Sequence, residues 1–293
     1  MSYPAKSRLA SFLLLHKLDD YDALRTKAAN EPEWFWRAVM AFHQLHFFRP
    51  FDRLLDVSRG PEWAEWCVGG TTNLAYNCLN RNIAAGRGDH PAVVWEGENG
   101  ERRSMTYREL ASLTARAAAG LVRLGCNRGD VIGIYMPMVP ETVAAYLAIV
   151  SIGAIALPMF SGFGAQAVAE RLAHAEAKAV VTADYSFRRG KKISMIDVMD
   201  AAAASVPTLE HVVVVEREPS AGSVQRGGRH LSWRDLTSGD QELTPAELPA
   251  EAPAMIVYTS GTTGKPKGTV HSHCGFMTKV ALDYGIIFDL QAG

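Results

Sequence analysis

Met255-Ile256-Val257-Tyr258-Thr259-Ser260-Gly261-Thr262-Thr263-Gly264-Lys265-Pro266-Lys267-Gly268 is the stretch that decides how the rest of the chain is read. Its apolar start predicts a buried strand. The residues after Tyr258 cannot continue that strand, because glycine relaxes the backbone and proline removes a donor. Hydroxyls, free backbone N–H groups and two ammonium groups crowd one loop there, which suits a polyanion, above all a nucleotide's phosphates. The Walker pattern G-x-x-x-x-G-K-[ST] is not satisfied. Pro266 stands where that pattern needs a magnesium-binding hydroxyl, and Thr259 stands at its first glycine. The competing reading is a flexible polar linker, but linkers rarely pack Thr, Ser, Gly and Lys so densely behind a buried strand.

The other strands obey the same logic. Val131 to Met136, Ala154 to Phe160, Ala179 to Thr182 and His211 to Val215 are short apolar runs. Helical patterns separate them: Leu110 to Leu124, Glu141 to Ile152, Ala165 to Ala175 and a stretch from Asp197. Thr106 with Glu109 forms a capping box for the first of these. Ala92 to Trp95 and Arg103 to Thr106 flank Gly97-Glu98-Asn99-Gly100 and predict a hairpin. Alternating strands and helices predict an α/β fold, a mainly parallel sheet flanked by helices. In such sheets ligands gather at the carboxyl ends of strands. The loop after Tyr258 and Ser161-Gly162-Phe163-Gly164 both lie at such ends, so the two are expected to share a cleft.

Ahead of this part lies a helical and irregular amino-terminal extension. Leu9, Phe12, Leu13 and His16 predict a short helix, and Trp34 to His46 a second, with Pro32 in its first turn. The aromatic stripe there is read as core, and His43 and His46 do not make a metal site. Phe51 to Asn82, broken by Gly60-Pro61 and Gly69-Gly70, predicts an irregular wrap with a short helix. Residues 216–253 read as a polar surface connection, with a small helix at Leu231 to Leu236.

At 293 residues the chain has a prior for about two domains. Hydrophobic residues make up 48%, enough for a sizeable core, and the net charge of −1 implies no bulk attraction to nucleic acid or anionic lipid. Cys67, Cys78, Cys126 and Cys274 show neither C-x-x-C nor zinc spacing and fit free thiols in a reducing compartment. Phe12-Leu13-Leu14-Leu15 is too short for a signal peptide or a membrane span, so a cytoplasmic location is expected.

The run Tyr258 to Gly268 resembles the phosphate loop of the AMP-forming, adenylate-forming enzymes, nearly completely over eleven residues. Within that superfamily the chain is similar to acetyl-CoA synthetase-type acyl-CoA synthetases. Phe48-Arg49-Pro50-Phe51-Asp52, Trp63 to Gly70 and Asn73 to Leu79 resemble their amino-terminal extension. Gly129-Asp130-Val131, Tyr135 to Glu141, Phe160 to Phe163 and Ala167 to Arg171 resemble their next blocks. The chain departs from the pattern at Asn80, Asn82 and Cys274, the last standing where glycine is usual, and this weakens the choice of acetate over other acids.

The resemblance implies a division into residues 1–88, the extension, and 89–293, the first part of the AMP-binding domain. It also implies a two-step reaction: a small carboxylic acid attacks the α-phosphate of ATP, and CoA then displaces AMP from the acyl-adenylate. Thr259, Ser260, Gly261, Thr262, Thr263, Gly264, Lys265 and Lys267 would hold the ATP phosphates, with Mg2+ bridging them; either lysine can be the one that touches phosphate. Gly162, Arg188 and Lys191 match positions that meet CoA, although a basic run such as Arg188 to Lys192 is more often a solvated turn. His271 and His273 read as packing or cleft residues. No metal ligand and no catalytic residue is assigned, and neither nucleic acid nor a membrane span is expected as a partner. The adenine-binding segment, the magnesium-binding acid and the late catalytic lysine are not in the sequence, so the 293 residues alone are expected to be inactive. The alternative is a non-catalytic remnant that binds nucleotide, CoA or a partner chain.

Overall fold

The structure is a computed structural model and describes residues 6–217, 228–240, 243–259 and 266–291. The chain forms two compact units. One comprises Met1–Thr72, Glu247–Ala252 and Ser272–Gly293; the other comprises Asn73–Ala246 and Pro253–His271.

The second unit is built on a seven-stranded sheet. Its strands are β1 (Val131–Tyr135), β2 (Ile155–Met159), β3 (Ala179–Ala183), β4 (His211–Val215), β5 (His230–Ser232), β6 (Pro253–Thr259) and β7 (Lys267–Ser272), in the order β5-β4-β3-β1-β2-β6-β7. From β5 through β6 every neighbouring pair is parallel. The expected fold class is therefore the observed one. Parallel strands need covered faces, and the side chains agree: all five residues of β3 are buried, as are Val212, Val213, Val214 and Val215 of β4.

Helices Tyr107–Arg123, Pro140–Ser151, Ala165–His174 and Ile196–Ala203 connect or flank these strands. The first carries the expected capping box, with the Thr106 side chain accepting from the Glu109 N–H and Glu109 accepting in return from the Thr106 N–H. Gly133 on β1 shows how closely a helix packs: a Cβ there would stand 2.7 Å from Leu172 Cδ2 and 3.0 Å from Val180 Cγ2. The hairpin Pro91–Glu96 with Arg102–Thr106 is antiparallel, as its turn residues predict.

In the first unit, Phe12, Leu13, Leu24, Ala38, Val39 and Ile286 form one apolar cluster. Helices Arg8–Leu15 and Pro32–Phe42 lie where the spacing puts them, though the second stops at Phe42 and leaves Leu45 and His46 outside. Gln44, with φ of 51°, marks that exit.

Three sequence expectations need correction. Phe51 to Asn82 contains an antiparallel pair, Arg53–Asp56 with Glu65–Val68, and is not merely irregular. Residues 216–253 are more than a surface connection, because His230–Ser232 adds a parallel edge strand to the sheet and shortens the expected helix to Trp233–Leu236. A helix, Tyr21–Asn30, stands where none was expected; Asp20 caps it by accepting from the Ala23 N–H. Among the described residues no helix is long and apolar enough to cross a membrane.

Candidate functional site

Three segments that carry candidate residues leave the carboxyl ends of parallel strands in one sheet. Residues 160–164 come after β2, the segment from Asp184 after β3, and the loop from Ser260 after β6. β2 and β6 are neighbours, with Met255 opposite Ala156. The topology thus places Thr259 and the 160–164 loop at the same end of the sheet, where ligands collect.

Of the residues expected to hold ATP phosphates, Thr259 and Lys267 are described; Ser260, Gly261, Thr262, Thr263, Gly264 and Lys265 lie outside the described residues. Thr259 ends β6 and Lys267 begins β7, so the two frame the mouth of the loop. Thr259 Oγ1 donates to the Lys267 carbonyl at 3.5 Å. Seven residues separate β6 and β7, too few for a parallel crossover and suited to a hairpin. A Cβ on Gly268 would approach Ile256 Cγ2 to 3.0 Å, so glycine there lets β7 lie close against β6. Lys267 is exposed.

The root of the loop is braced from the neighbouring helix. The hydroxyl of Tyr258 and His174 Nδ1 are 2.5 Å apart. The Arg171 guanidinium lies 4.3 Å from the Phe163 ring centroid and 5.8 Å from that of Tyr258. One helix, Ala165–His174, therefore touches both the loop after β2 and the last residues of β6. Burial pushes the Tyr258 phenol up, partly offset by the charge of Arg171. The 160–164 loop is held from below as well: the buried Tyr135, at the end of β1, donates to the carbonyls of Phe163 at 2.8 Å and Ser161 at 3.2 Å.

The basic run Arg188 to Lys192 forms a second piece of the site. It is the turn of a hairpin, Tyr185–Arg188 paired with Lys191–Ser194, and Arg188 stands opposite Lys191. Arg189 and Gly190 have φ of 54° and 72°. Two successive positive φ angles make a type I′ turn, which matches the twist of a hairpin. Glu98 pins the turn by accepting from the N–H of Gly190 at 2.9 Å and of Arg189 at 3.3 Å. The Lys192 ammonium lies 3.8 Å from the Tyr185 ring centroid.

The structure brings Gly162 and Arg188 together. The Arg188 guanidinium lies 5.7 Å from the centroid of the largely exposed Phe160 ring. A Cβ on Gly162 would stand 2.5 Å from Phe160 Cε1 and 2.8 Å from Arg188 Nη1. The bare glycine thus lets an aromatic ring and a guanidinium close in on the 160–164 loop, with Lys191 across the hairpin. Such a group of charges and a ring suits a phosphorylated nucleotide.

His273 is buried at the head of the helix His273–Val280, a packing position; His271 is half-buried. Among the described residues no group of three His, Cys, Asp or Glu is placed to hold a metal ion. Sequence reasoning gave no role to Tyr135, His174, Glu98 or Arg171. The first three act across 26 to 92 residues of sequence, a range no local pattern reports.

Residues 80–290 match the family model for the AMP-binding enzyme. Residues 21–78 match that for the acetyl-coenzyme A synthetase N-terminus. An acetyl-coenzyme A synthetase of Rhodopirellula baltica is 40% identical over 282 residues, covering 94% of this chain and 41% of the relative. One from Deinococcus radiodurans is 41% identical over 274 residues, covering 93% and 41%. Among solved structures, the acetoacetyl-CoA synthetase from Streptomyces lividans is similar with a TM-score of 0.89 and 29% identity, over 99% of this chain and 45% of that one. The chain thus spans 41% of the length of both curated relatives.

Proposed function

The chain belongs to the AMP-binding enzyme family, and on that premise we propose that it supplies the amino-terminal part of an AMP-forming acyl-CoA synthetase. The reaction joins a short-chain carboxylate to CoA through an acyl-adenylate, with release of diphosphate and AMP. The observation that supports this reading is the approach of Arg188, on the hairpin that bears Lys191, to Gly162 in the loop after β2, the strand beside the one that ends at Thr259.

Each segment has a physical task. As the carboxylate attacks the α-phosphate, charge builds on the departing diphosphate. The hydroxyls of Thr259, Ser260, Thr262 and Thr263 and the ammonium groups of Lys265 and Lys267 offset it. Gly261 and Gly264 allow close backbone approach. Arg188 and Lys191 pair with phosphates on the nucleotide end of CoA, and Gly162 leaves room for it to pass. No base is needed on the carboxylate, because it is already ionised at neutral pH. ATP and CoA are thus the nucleotide substrates; magnesium would arrive with ATP, and no step here runs through a protein-held metal.

Carboxylate-dependent exchange of labelled diphosphate into ATP tests the proposal. It is measured on a polypeptide that supplies the remaining length of a relative as well, and on the 293-residue chain beside it. Exchange by the longer polypeptide and none by the chain alone is expected. A folded longer polypeptide that binds ATP yet exchanges nothing with any short-chain acid overturns the enzymatic reading and leaves a nucleotide-binding remnant.

A further inference from the structure

Cys67 and Cys274 lie 207 residues apart in sequence, yet their sulfurs are 2.9 Å apart. That is about 0.9 Å beyond the bonded S–S length of ~2.05 Å. Both belong to the first unit and to one buried cluster with Met40, Leu54 and Ala250. Each is held by backbone that packing determines. Cys67 closes a turn in which its carbonyl accepts from the Gly70 N–H at 2.9 Å. Its φ of 51° lies in the left-handed region, which few non-glycine residues occupy and which recurs at functional positions. Cys274 sits in the first turn of the helix His273–Val280, and its N–H donates to the Ala250 carbonyl. It also lines a cavity of about 200 Å³ with Trp36, Met40, Trp66 and Thr278, although the side chain is otherwise covered.

We propose that Cys67 and Cys274 are a reversible dithiol–disulfide site that a peroxide oxidises. The pair shares its protons unequally. Donation from the Cys67 thiol, with a weaker contact from Thr278, holds the Cys274 thiol below its usual range, while Cys67 is pushed far up. Cys274, the one of the two that lines the cavity, is therefore the attacking thiolate. It displaces hydroxide from the peroxide: an S–O bond forms, the O–O bond breaks, and the hydroxide leaves as water with the Cys67 proton. The Cys67 thiolate then attacks the sulfenic sulfur of Cys274. The S–S bond forms and the second oxygen leaves as water once it takes up a proton from solvent. Two thiols and one peroxide thus give one disulfide and two waters, and a dithiol reductant reverses the change. The other two cysteines differ: desolvation pushes both the Cys78 and the Cys126 thiol up to about 11.

The test is mass spectrometry of the 293-residue chain after treatment with equimolar hydrogen peroxide. The chain is expected to lose about 2 Da, two hydrogens, and dithiothreitol to restore them. A protease digest should yield one joined peptide holding Cys67 and Cys274. The variant C78S/C126S keeps the pair intact and should show the same loss. In C67S the sulfenic acid at Cys274 has no resolving thiol, so that residue should gain oxygen. An unchanged mass, oxygen added to Met40 alone, or a joined peptide that contains Cys78 or Cys126 overturns the proposal.

Discussion

Two glycine-containing basic segments bear on the candidate site, and they are organised in opposite ways. The loop between Thr259 and Lys267 draws its chemistry from its own composition: hydroxyls, glycines and lysines packed into a few consecutive residues behind a buried strand. The hairpin around Arg188 and Lys191 has an unremarkable sequence. It gains its role from distant partners: Glu98 at its turn, Phe160 beneath its arginine and Gly162 beside it. A phosphate cradle made of backbone and short side chains must be local. A pocket made by long side chains can be assembled from anywhere. Changes inside the first segment should therefore abolish a step, and changes around the second should tune one.

The largest effect is expected from replacing both Lys265 and Lys267 by Ala. Withdrawing preorganised positive charge from a developing anion costs on the order of 10²-fold or more in rate. Adenylation, measured by diphosphate exchange in a polypeptide competent for both half-reactions, should fall by at least that factor, with CoA affinity unchanged. Unchanged exchange would remove the loop from the mechanism. Next in size is Arg188→Ala. A charge-assisted hydrogen bond is worth about 1.5–3 kcal/mol, so KM for CoA should rise on the order of 10- to 100-fold while adenylation stays the same. Gly162→Ala should approach the lower end of that range, because its new methyl would meet Phe160 and Arg188 at 2.5 and 2.8 Å. If adenylation fell along with thioester formation in either variant, the two segments would not be separable and the comparison would fail.

The same contrast explains how much was legible before the structure. β1, β2, β3 and β4 could be read because each is a short apolar run, β1 and β2 further bounded by glycine or proline, and a buried parallel strand has no need of alternation. The helix Tyr21–Asn30 escaped because only Leu24 of its ten residues is buried, so it carries almost no apolar stripe. The pair Arg53–Asp56 and Glu65–Val68 escaped because four-residue strands mixing charged and apolar residues resemble loop. β5 is shorter still, three residues against β4. At the candidate site, the run from Tyr258 to Gly268 was visible as a motif, and Gly162, Arg188 and Lys191 as matches to a pattern. That Arg188 reaches over Gly162 was not visible, because it depends on a hairpin turn held by a carboxylate 92 residues away.

Glu98 accordingly offers a finer probe of the distant-partner rule. Glu98→Gln keeps the shape but gives up the charge that strengthens its bonds to the Gly190 and Arg189 N–H groups. The I′ turn is set by Gly190 in any case, so the hairpin should persist with a less firmly aimed Arg188. A rise in KM for CoA of about 3- to 5-fold is expected, from roughly 1 kcal/mol of lost hydrogen bonding at an exposed position. The double variant with Arg188→Ala should be no worse than Arg188→Ala alone, since Glu98 acts through that arginine. Additive losses would mean that Glu98 reaches CoA by a route of its own.

The smallest effect should come from the one place where the local loop borrows a distant brace. Tyr258 directly precedes the loop that runs from Thr259 to Lys267, and its hydroxyl meets His174 at 2.5 Å on the helix that also carries Arg171. Tyr258→Phe removes the hydroxyl and leaves the ring under the guanidinium. Because the loop's chemistry is local, loosening its root should raise KM for ATP only about 2- to 4-fold, the size of one ordinary hydrogen bond, and leave KM for CoA alone. His174→Ala should match it, and the pair together should cost no more than either alone, because both changes break the same contact. A loss near that of the double lysine variant would show that the cradle depends on its scaffold as much as the hairpin does.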